Sequence, residues 1–151
     1  MVIAVDFDGT IVEHEYPKIG KSIPFAIETL LQLQRDGHIL LMWTVRTGEM
    51  LQEAVDYCEK KGLKFYAANK NHPDEDVANA SRKLNADLFI DDRNLGGLPD
   101  WGVIYHAIKA MEKGETSFER IMMSSGENQR VRRRKKNFFI RLGEMFENNG
   151  Y

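Results

Sequence analysis

The decisive stretch of this sequence is Val2-Ile3-Ala4-Val5-Asp6-Phe7-Asp8-Gly9-Thr10. Its four leading apolar residues are too few for a helix and predict a fully buried strand. Asp6 and Asp8 follow, and Gly9 then turns the chain, so both carboxylates are expected at the carboxyl edge of the strand, where open parallel sheets bind ligands. Because two crowded carboxylates repel each other, they need a cation or a shared proton, and such an oxygen-rich site suits Mg²⁺.

Three further polar signals follow in order along the chain. Thr44 ends the apolar run 39–43, Lys83 lies shortly before a third apolar run, and Asp91-Asp92 closes that run. Taken singly, Thr44 and Asp91-Asp92 would also suit an ordinary turn or a helix cap. Together they predict that several strands deliver polar side chains to one edge of a sheet.

Apolar patterning along the chain alternates between strand and helix. Strands are predicted at about 2–6, 39–44, 65–67 and 87–91, and helices at about 23–36, 48–61 and 101–113. Ser22 and Asp100 are the predicted N-caps of the first and third helices. The polar residues 69–80 are predicted to be a loop with room for one helical turn. This alternation favours an α/β fold with a parallel sheet covered on both faces, a doubly wound three-layer architecture.

The quoted motifs together resemble those of a known group of enzymes. Asp6-x-Asp8-Gly9-Thr10, Thr44, Lys83 and Asp91-Asp92 are similar, in order, to the four motifs of the haloacid dehalogenase superfamily, most of whose members are Mg²⁺-dependent phosphotransferases. The resemblance covers about residues 1–112. It implies a Rossmann-like core that hydrolyses a phosphomonoester.

The resemblance assigns the catalytic roles to the first motif. Asp6 is expected to be the nucleophile that forms an aspartyl-phosphate, as carboxylates do in phosphoryl chemistry. Asp8 is expected to protonate the leaving group and later to activate water. Gly9 and Thr10 would shape the turn and position Asp8.

The other motifs are expected to bind phosphate. Thr44 would hydrogen-bond a phosphoryl oxygen, and Lys83 would hold the phosphate and offset its repulsion by Asp6. Lys70 is the alternative lysine, because the spacing leaves either within reach. Arg46 either reaches substrate phosphate or pairs with an acid.

Four aspartates form the metal site that the resemblance implies. Asp92 is expected to bind Mg²⁺ directly, and Asp91 is expected to lie next to the ligands of the ion without contacting the ion itself. Asp6 belongs to the same site, and Asp8 is expected to contribute its backbone carbonyl.

Other polar residues near these motifs are weaker candidates. Arg93 and Asn94 follow the metal aspartates and either orient them or stabilise the loop. His14 and His72 are expected in loops at the active edge, where a surface position is favoured over a substrate contact.

The spacing between motifs leaves no room for the cap domain that usually closes such sites. Residues between Thr10 and the second strand suffice for one loop and one helix, and about 15 residues separate the third strand from Lys83. We therefore expect an open site. Such a site either admits a large substrate, such as a nucleic-acid end or a protein, or is shielded by a second subunit of a homo-oligomer.

Length and composition indicate one domain of ordinary globular type. The chain has 151 residues, 42% hydrophobic and 29% charged, enough for one core. No run reaches the roughly 18–20 apolar residues of a membrane span, and Asp6 and Asp8 interrupt any signal peptide. The single cysteine, Cys58, excludes an internal disulfide and favours a cytoplasmic location. It shares a predicted helical face with apolar residues and is expected to be a core thiol.

Charge divides the chain into an acidic body and a basic tail. Residues 127–151 carry seven basic and three acidic side chains, for a net +4, and residues 1–126 carry a net −6. We therefore predict a catalytic core at 1–126 and a partly helical basic tail at 127–151. The tail either docks on the protein itself or binds a polyanion such as RNA, DNA or a membrane surface. The alternative function is accordingly a phosphate- or nucleic-acid-binding module whose affinity comes from this tail.

Overall fold

A computed structural model of the chain describes residues 1–114. Its elements are β1 (Val2–Val5), α1 (Ala26–Arg35), β2 (Ile39–Met42), α2 (Gly48–Lys60), β3 (Ala67–Ala68), β4 (Leu88–Ile90) and α3 (Trp101–Glu112). The described residues fall into two compact units, Met1–Gly102 and one that begins at Val103. The predicted boundary at 126/127 and the basic tail at 127–151 lie outside the described residues.

The four strands form one parallel sheet in the order β3-β2-β1-β4. This confirms the predicted α/β fold with a parallel sheet. The chain first builds outward from β1 to β3 and then returns to the opposite side of β1 to add β4. The strand order therefore reverses at β1, and a crevice at the carboxyl ends of β1 and β4 is where such sheets bind ligands.

One face of the sheet carries a small hydrophobic cluster. Ala4, Leu41 and Ala67 come from three neighbouring strands, and Leu84 covers them from the segment before β4. Four partly buried side chains extend the cluster: Val2, Trp43, Ala86 and Phe89. The rings of Trp43 and Phe89 meet edge to face with centroids 5.1 Å apart. This packing fixes the ends of β2 and β4 close to each other.

The helices begin and end at residues that the sequence partly predicts. Gly37 follows α1 with a φ of 89°, which favours glycine, and Gly62 follows α2 in the same way. The prediction of Ser22 as the N-cap of α1 was wrong, because Ser22 pairs with Val12 in an isolated β-bridge. Phe25, in a left-handed conformation, precedes α1 without a side-chain cap.

The remaining local predictions are largely confirmed. The backbone N–H of Gly102 donates to Asp100 Oδ1 at 2.9 Å, so Asp100 caps α3 as expected. Residues 69–80 form turns and bends without a helix. Cys58 is fully buried in α2, as predicted. None of the helices within residues 1–114 has the length and apolarity needed to cross a membrane.

Candidate active site

A cavity of about 280 Å³ opens where the carboxyl ends of β1, β2 and β4 meet. Each strand is followed there by a polar residue of the predicted site: Asp6 after β1, Thr44 two residues after β2, and Asp91 after β4. The cavity is lined by Asp6, Asp8, His14, Trp43, Thr44, Val45, Arg82, Asp91 and Arg93. The predicted edge of the sheet is therefore where the structure gathers these side chains.

Three carboxylates form a tight cluster at this edge, which we call the acidic cluster: Asp6, Asp91 and Asp92. One carboxylate oxygen from each lies within 4.8 Å of the others. The strand register causes this, because Val5 pairs with Ile90 and the N–H of Asp6 donates to the Ile90 carbonyl at 2.9 Å. Burial first, and then the negative charges of Asp91 and Asp92, raise the pKa of Asp6 to about 6.

Gly9 and Thr10 bring Asp92 against Asp6. The Thr10 hydroxyl donates to Asp6 Oδ2 at 3.3 Å and accepts from the Asp92 N–H at 3.0 Å. Gly9 has a φ of 91°, and a Cβ at this position would lie 2.5 Å from Asp92 Oδ2. Only glycine fits there. These two residues thus join the ends of β1 and β4, whereas the sequence had suggested only that they position Asp8.

The donor set of the acidic cluster fits a hard divalent cation. Asp92 Oδ1 is buried and has no hydrogen-bond partner within the described residues. A buried carboxylate oxygen without a partner is costly unless a cation or a proton compensates it. Asp91 Oδ1, by contrast, accepts from the backbone N–H of Arg93 at 2.8 Å. Carboxylate oxygens in this arrangement are ligands that Mg²⁺ accepts.

Asp8 is engaged away from the acidic cluster, in a buried ion pair with Arg46. Arg46 Nε donates to Asp8 Oδ2 and Arg46 Nη2 donates to Asp8 Oδ1, each at 2.7 Å. Only 4% of Asp8 and none of Arg46 is exposed. The hydrogen bonds to Asp8 raise the pKa of Arg46. Of the two roles considered for Arg46, the structure shows the pairing with an acid.

The other contacts of Arg46 fix the segment that precedes α1. Its Nη1 donates to the Pro17 carbonyl at 2.9 Å and its Nη2 to the Lys18 carbonyl at 2.8 Å. The guanidinium also lies over the rings of Phe7 and Tyr16, 5.2 and 5.3 Å from their centroids. With its nitrogens engaged in this way, Arg46 does not line the cavity.

Thr44 lines the cavity and is held by Asn69, a residue that the sequence analysis missed. The N–H of Thr44 donates to Asn69 Oδ1 at 2.9 Å, and Asn69 Nδ2 donates to the Arg46 carbonyl at 3.0 Å. Asn69 directly follows β3 with a φ of 54°. Asparagine tolerates this left-handed conformation better than most residues, and its position after a strand was the available signal.

Neither candidate lysine lines the cavity. Lys83 is exposed, with its ammonium 5.4 Å from the centroid of Phe89, and Lys70 donates to the Pro73 carbonyl at 3.1 Å. The cationic side chains that do line it are Arg82 and Arg93. Arg82 was missed, although it is the immediate neighbour of Lys83 in the sequence.

The two loop histidines are placed differently. His14 is exposed and lines the cavity, whereas His72 is exposed in the segment 69–80 and is not among the lining residues. Position in a loop at the active edge did not distinguish them in the sequence. His14 is therefore both a surface residue and part of the cavity wall.

Comparison with known proteins identifies one homologous structure. No protein-family model matches the chain, and no curated protein matches it. The chain is similar to a conserved protein from Bacteroides thetaiotaomicron of solved structure, with 63% sequence identity and a TM-score of 0.70. The match covers 74% of this chain and 91% of that one. The chain therefore belongs to the same family as this conserved Bacteroides thetaiotaomicron protein.

Proposed function

We propose that the protein is a Mg²⁺-dependent phosphomonoester hydrolase of the haloacid dehalogenase type, with a three-layer Rossmann-like core and no cap domain. One observation carries the proposal. Asp6 lies against Asp91 and Asp92 in a cavity that Arg82 and Arg93 also line. Carboxylates beside cationic groups, at the point where the strand order reverses, suit the transfer of an anionic phosphoryl group. The resemblance of the four sequence motifs supports the same assignment.

Asp6 is the proposed nucleophile. Its Oδ2 accepts from Thr10, so we assign the attack on phosphorus to Oδ1. A bond forms between this oxygen and phosphorus while the bond to the leaving oxygen breaks, and the leaving oxygen takes up a proton. Water then hydrolyses the aspartyl-phosphate, which releases phosphate and restores Asp6. With a pKa of about 6, Asp6 is ionised at neutral pH, as attack requires.

Asp6, Asp91 and Asp92 are the residues that would hold Mg²⁺. The bound ion supplies positive charge that offsets the repulsion between these carboxylates and the phosphoryl oxygens. Asp92 presents the unsatisfied oxygen Oδ1 and is the proposed direct ligand. Asp91 is oriented by the backbone of Arg93.

Three side chains are proposed to hold the phosphoryl group. Arg82 and Arg93 line the cavity, and guanidinium groups bind phosphate through paired, charge-assisted hydrogen bonds. Thr44 lines the same wall, and its hydroxyl accepts from the Arg46 N–H at 3.3 Å. Lys83, the lysine that the motif order implies, lies one residue beyond Arg82 and outside the cavity wall.

The function is tested by hydrolysis of p-nitrophenyl phosphate with Mg²⁺ and with EDTA. Wild type is compared with Asp6→Asn and with a control, Asp74→Asn, which changes an exposed aspartate outside the site. We expect metal-dependent turnover in wild type and in the control, and a loss of about 10⁴-fold or more in Asp6→Asn, since loss of a nucleophile removes the covalent route. Turnover retained in Asp6→Asn would refute the mechanism.

The acidic-body and basic-tail charge pattern supports a second candidate, a nucleic-acid-binding module. Its carrying observation is the net +4 on residues 127–151. Binding through such a tail would fall steeply with salt. Binding of single- and double-stranded nucleic acid, measured against salt concentration with and without residues 127–151, tests it. Salt-insensitive binding, or none, eliminates this candidate.

The proposal also includes a cytoplasmic location and the open site described above. Cys58 is buried, and burial raises the pKa of its thiol to about 12. A buried thiol with a raised pKa is unreactive and does not act as a nucleophile.

An acceptor other than water would use the same aspartyl-phosphate, so transfer of the phosphoryl group to another molecule is part of the same proposal.

A further inference from the structure

We propose that Trp43 and Val45 bind the leaving group of the substrate, and that this leaving group is an aromatic ring joined directly to the ester oxygen. The inference rests on the proposed phosphatase function and names the substrate class of that site, an aryl phosphomonoester. Three observations carry it: the make-up of the cavity wall, the hydrogen bonds that fix residues 43–46, and the place of Thr44 between the two apolar residues.

The wall of the cavity has one apolar part. Of the nine described residues that line the cavity, Trp43 and Val45 are the apolar ones, and the other seven carry charged or polar side chains. Val45 is 68% exposed. Covering such a side chain with an apolar group removes its surface from water and favours binding. A sugar or polyol leaving group would instead place hydroxyl groups against this part of the wall.

Trp43 is fixed in place by the sheet and by the hydrophobic cluster. Its N–H donates to the Val5 carbonyl at 2.9 Å, so its backbone is tied to the residue before the proposed nucleophile, Asp6. Its half-buried ring meets the ring of Phe89 edge to face with centroids 5.1 Å apart. The indole therefore supplies the cavity with a rigid aromatic surface, which a second aromatic ring can contact in a stacked or edge-to-face arrangement.

Val45 is held by hydrogen bonds on both of its neighbours. The Thr44 N–H donates to Asn69 Oδ1 at 2.9 Å, and Asn69 Nδ2 donates to the Arg46 carbonyl at 3.0 Å. The Arg46 N–H also donates to the Thr44 hydroxyl at 3.3 Å. Because this segment is fixed by its own contacts, an apolar group that covers Val45 has little conformational entropy to offset.

The apolar part adjoins the place proposed for the phosphoryl group. Thr44, one of the proposed phosphoryl contacts, lies between Trp43 and Val45 in the sequence, and consecutive Cα atoms are only about 3.8 Å apart. A group that contacts both apolar residues while the phosphoryl group lies at Asp6 must therefore be attached close to phosphorus. A phenol ring on the ester oxygen meets this condition, whereas a nucleotide base is separated from its phosphate by ribose.

The test compares two phosphonates that the enzyme cannot hydrolyse. Benzylphosphonate has a CH₂ group where phenyl phosphate has its ester oxygen, and ethylphosphonate has one where methyl phosphate has it, so the two ligands differ by a ring in place of a methyl group. Dissociation constants are measured by calorimetry on the full chain with Mg²⁺. We expect wild type to bind benzylphosphonate at least about tenfold more tightly than ethylphosphonate, and more tightly than AMP.

Val45→Thr tests the wall itself. Threonine keeps the shape of valine and exchanges one methyl group for a hydroxyl, so we expect the ratio of the two dissociation constants to fall at least about threefold while ethylphosphonate binding stays unchanged. The matched control is Val77→Thr, which changes a valine that is 59% exposed and does not line the cavity. It should keep the wild-type ratio.

The outcomes separate this inference from the proposed function. Equal binding of the two phosphonates by wild type, or an equal loss for both in Val45→Thr, would overturn the aryl subsite while Mg²⁺-dependent hydrolysis of p-nitrophenyl phosphate upholds the phosphatase. AMP bound as tightly as benzylphosphonate would also overturn it, in favour of a nucleotide. A wild type that hydrolyses neither p-nitrophenyl phosphate nor phenyl phosphate with Mg²⁺ would overturn the proposed function and this inference with it.

Discussion

The acidic cluster and the Asp8–Arg46 pair use aspartates of one short motif in opposite ways. In the cluster, Asp6 lies beside Asp91 and Asp92, and its carboxylate accepts a hydrogen bond from the neutral hydroxyl of Thr10. Two residues later, Asp8 receives two hydrogen bonds from a guanidinium and is almost fully buried. Alternation along a strand would keep residues two positions apart on one face. The divergence arises because β1 ends at Val5 and the chain turns directly after it.

The difference indicates where free energy is available for binding. A buried charge whose hydrogen bonds are complete gains nothing from a ligand, and losing its partner costs the fold. A crowded cluster with an unsatisfied buried oxygen gains from any cation that enters. We therefore read the pair as structural support and the cluster as the site of chemistry, and each reading predicts a different response to substitution.

The largest effect on stability is expected from breaking the pair. Arg46→Gln leaves Asp8 buried without a cation, which costs about 3–5 kcal/mol of unfolding free energy. Urea denaturation at pH 7.5 measures this, with Arg35→Gln on the exposed side of α1 as the control. The double variant Asp8→Asn/Arg46→Gln should recover part of the loss, because no net charge is then left buried.

A loss below about 1 kcal/mol in Arg46→Gln would contradict the structural reading of the pair. It would mean that water or another group compensates Asp8 once the guanidinium is gone. The Asp8–Arg46 pair would then not be a main support of the fold.

The next effect concerns the cluster and its cation. Mg²⁺ at about 100 times its dissociation constant should raise the unfolding free energy by about 2.7 kcal/mol, since the ion binds only the folded site. Thermal unfolding with Mg²⁺ and with EDTA measures the shift in Tm. Asp92→Asn should lose most of the shift, because it replaces the oxygen that lacks a partner. Asp74→Asn should retain it, and a full shift in Asp92→Asn would place the cation elsewhere.

The acidic cluster could be predicted from the sequence, whereas the Asp8–Arg46 pair could not. Asp6 and Asp91 directly follow apolar runs, and parallel strands bring their carboxyl ends to one edge, so pattern alone places them together. Asp8 and Arg46 are separated by 38 positions. Their pairing depends on how the loops after β1 and β2 turn, for which the sequence has no periodic signal.

Which basic side chain lines the cavity was also not predictable from the sequence. Lys83 and Arg82 are adjacent in an irregular segment, where a shift of one position changes which side chain lines the cavity. Motif order favoured Lys83, whereas in the structure Arg82 lines the cavity and the ammonium of Lys83 lies over the ring of Phe89. Irregular segments are fixed by tertiary contacts such as that of Leu84 with the sheet, and these contacts are not local in sequence.

The smallest effect is the pH dependence that burial, together with the charges of Asp91 and Asp92, imposes on Asp6. Its pKa is raised from 3.8 to about 6 in the folded protein, so between these values the folded state binds more protons than the unfolded state. In EDTA the contribution of Asp6 to stability is therefore complete below about pH 4 and is lost as the pH rises through 6, by roughly 2 kcal/mol once partial exposure is allowed for. Asp6→Asn cannot titrate and should be relatively more stable above pH 6.

Urea denaturation of wild type and Asp6→Asn is measured at pH 4.5 and pH 7.5, both in EDTA. The difference between the two proteins isolates the contribution of Asp6 to the free energy of unfolding, because the other carboxylates titrate in both. Asp74→Asn should follow wild type at both pH values. Saturating Mg²⁺ at pH 7.5 should reverse the order of wild type and Asp6→Asn, since the ion compensates the charge that destabilises the metal-free cluster. Parallel behaviour of wild type and Asp6→Asn in EDTA would show that Asp6 is solvated like an exposed carboxylate. The contrast with Asp8 would then be one of hydrogen bonding alone and not of electrostatic strain.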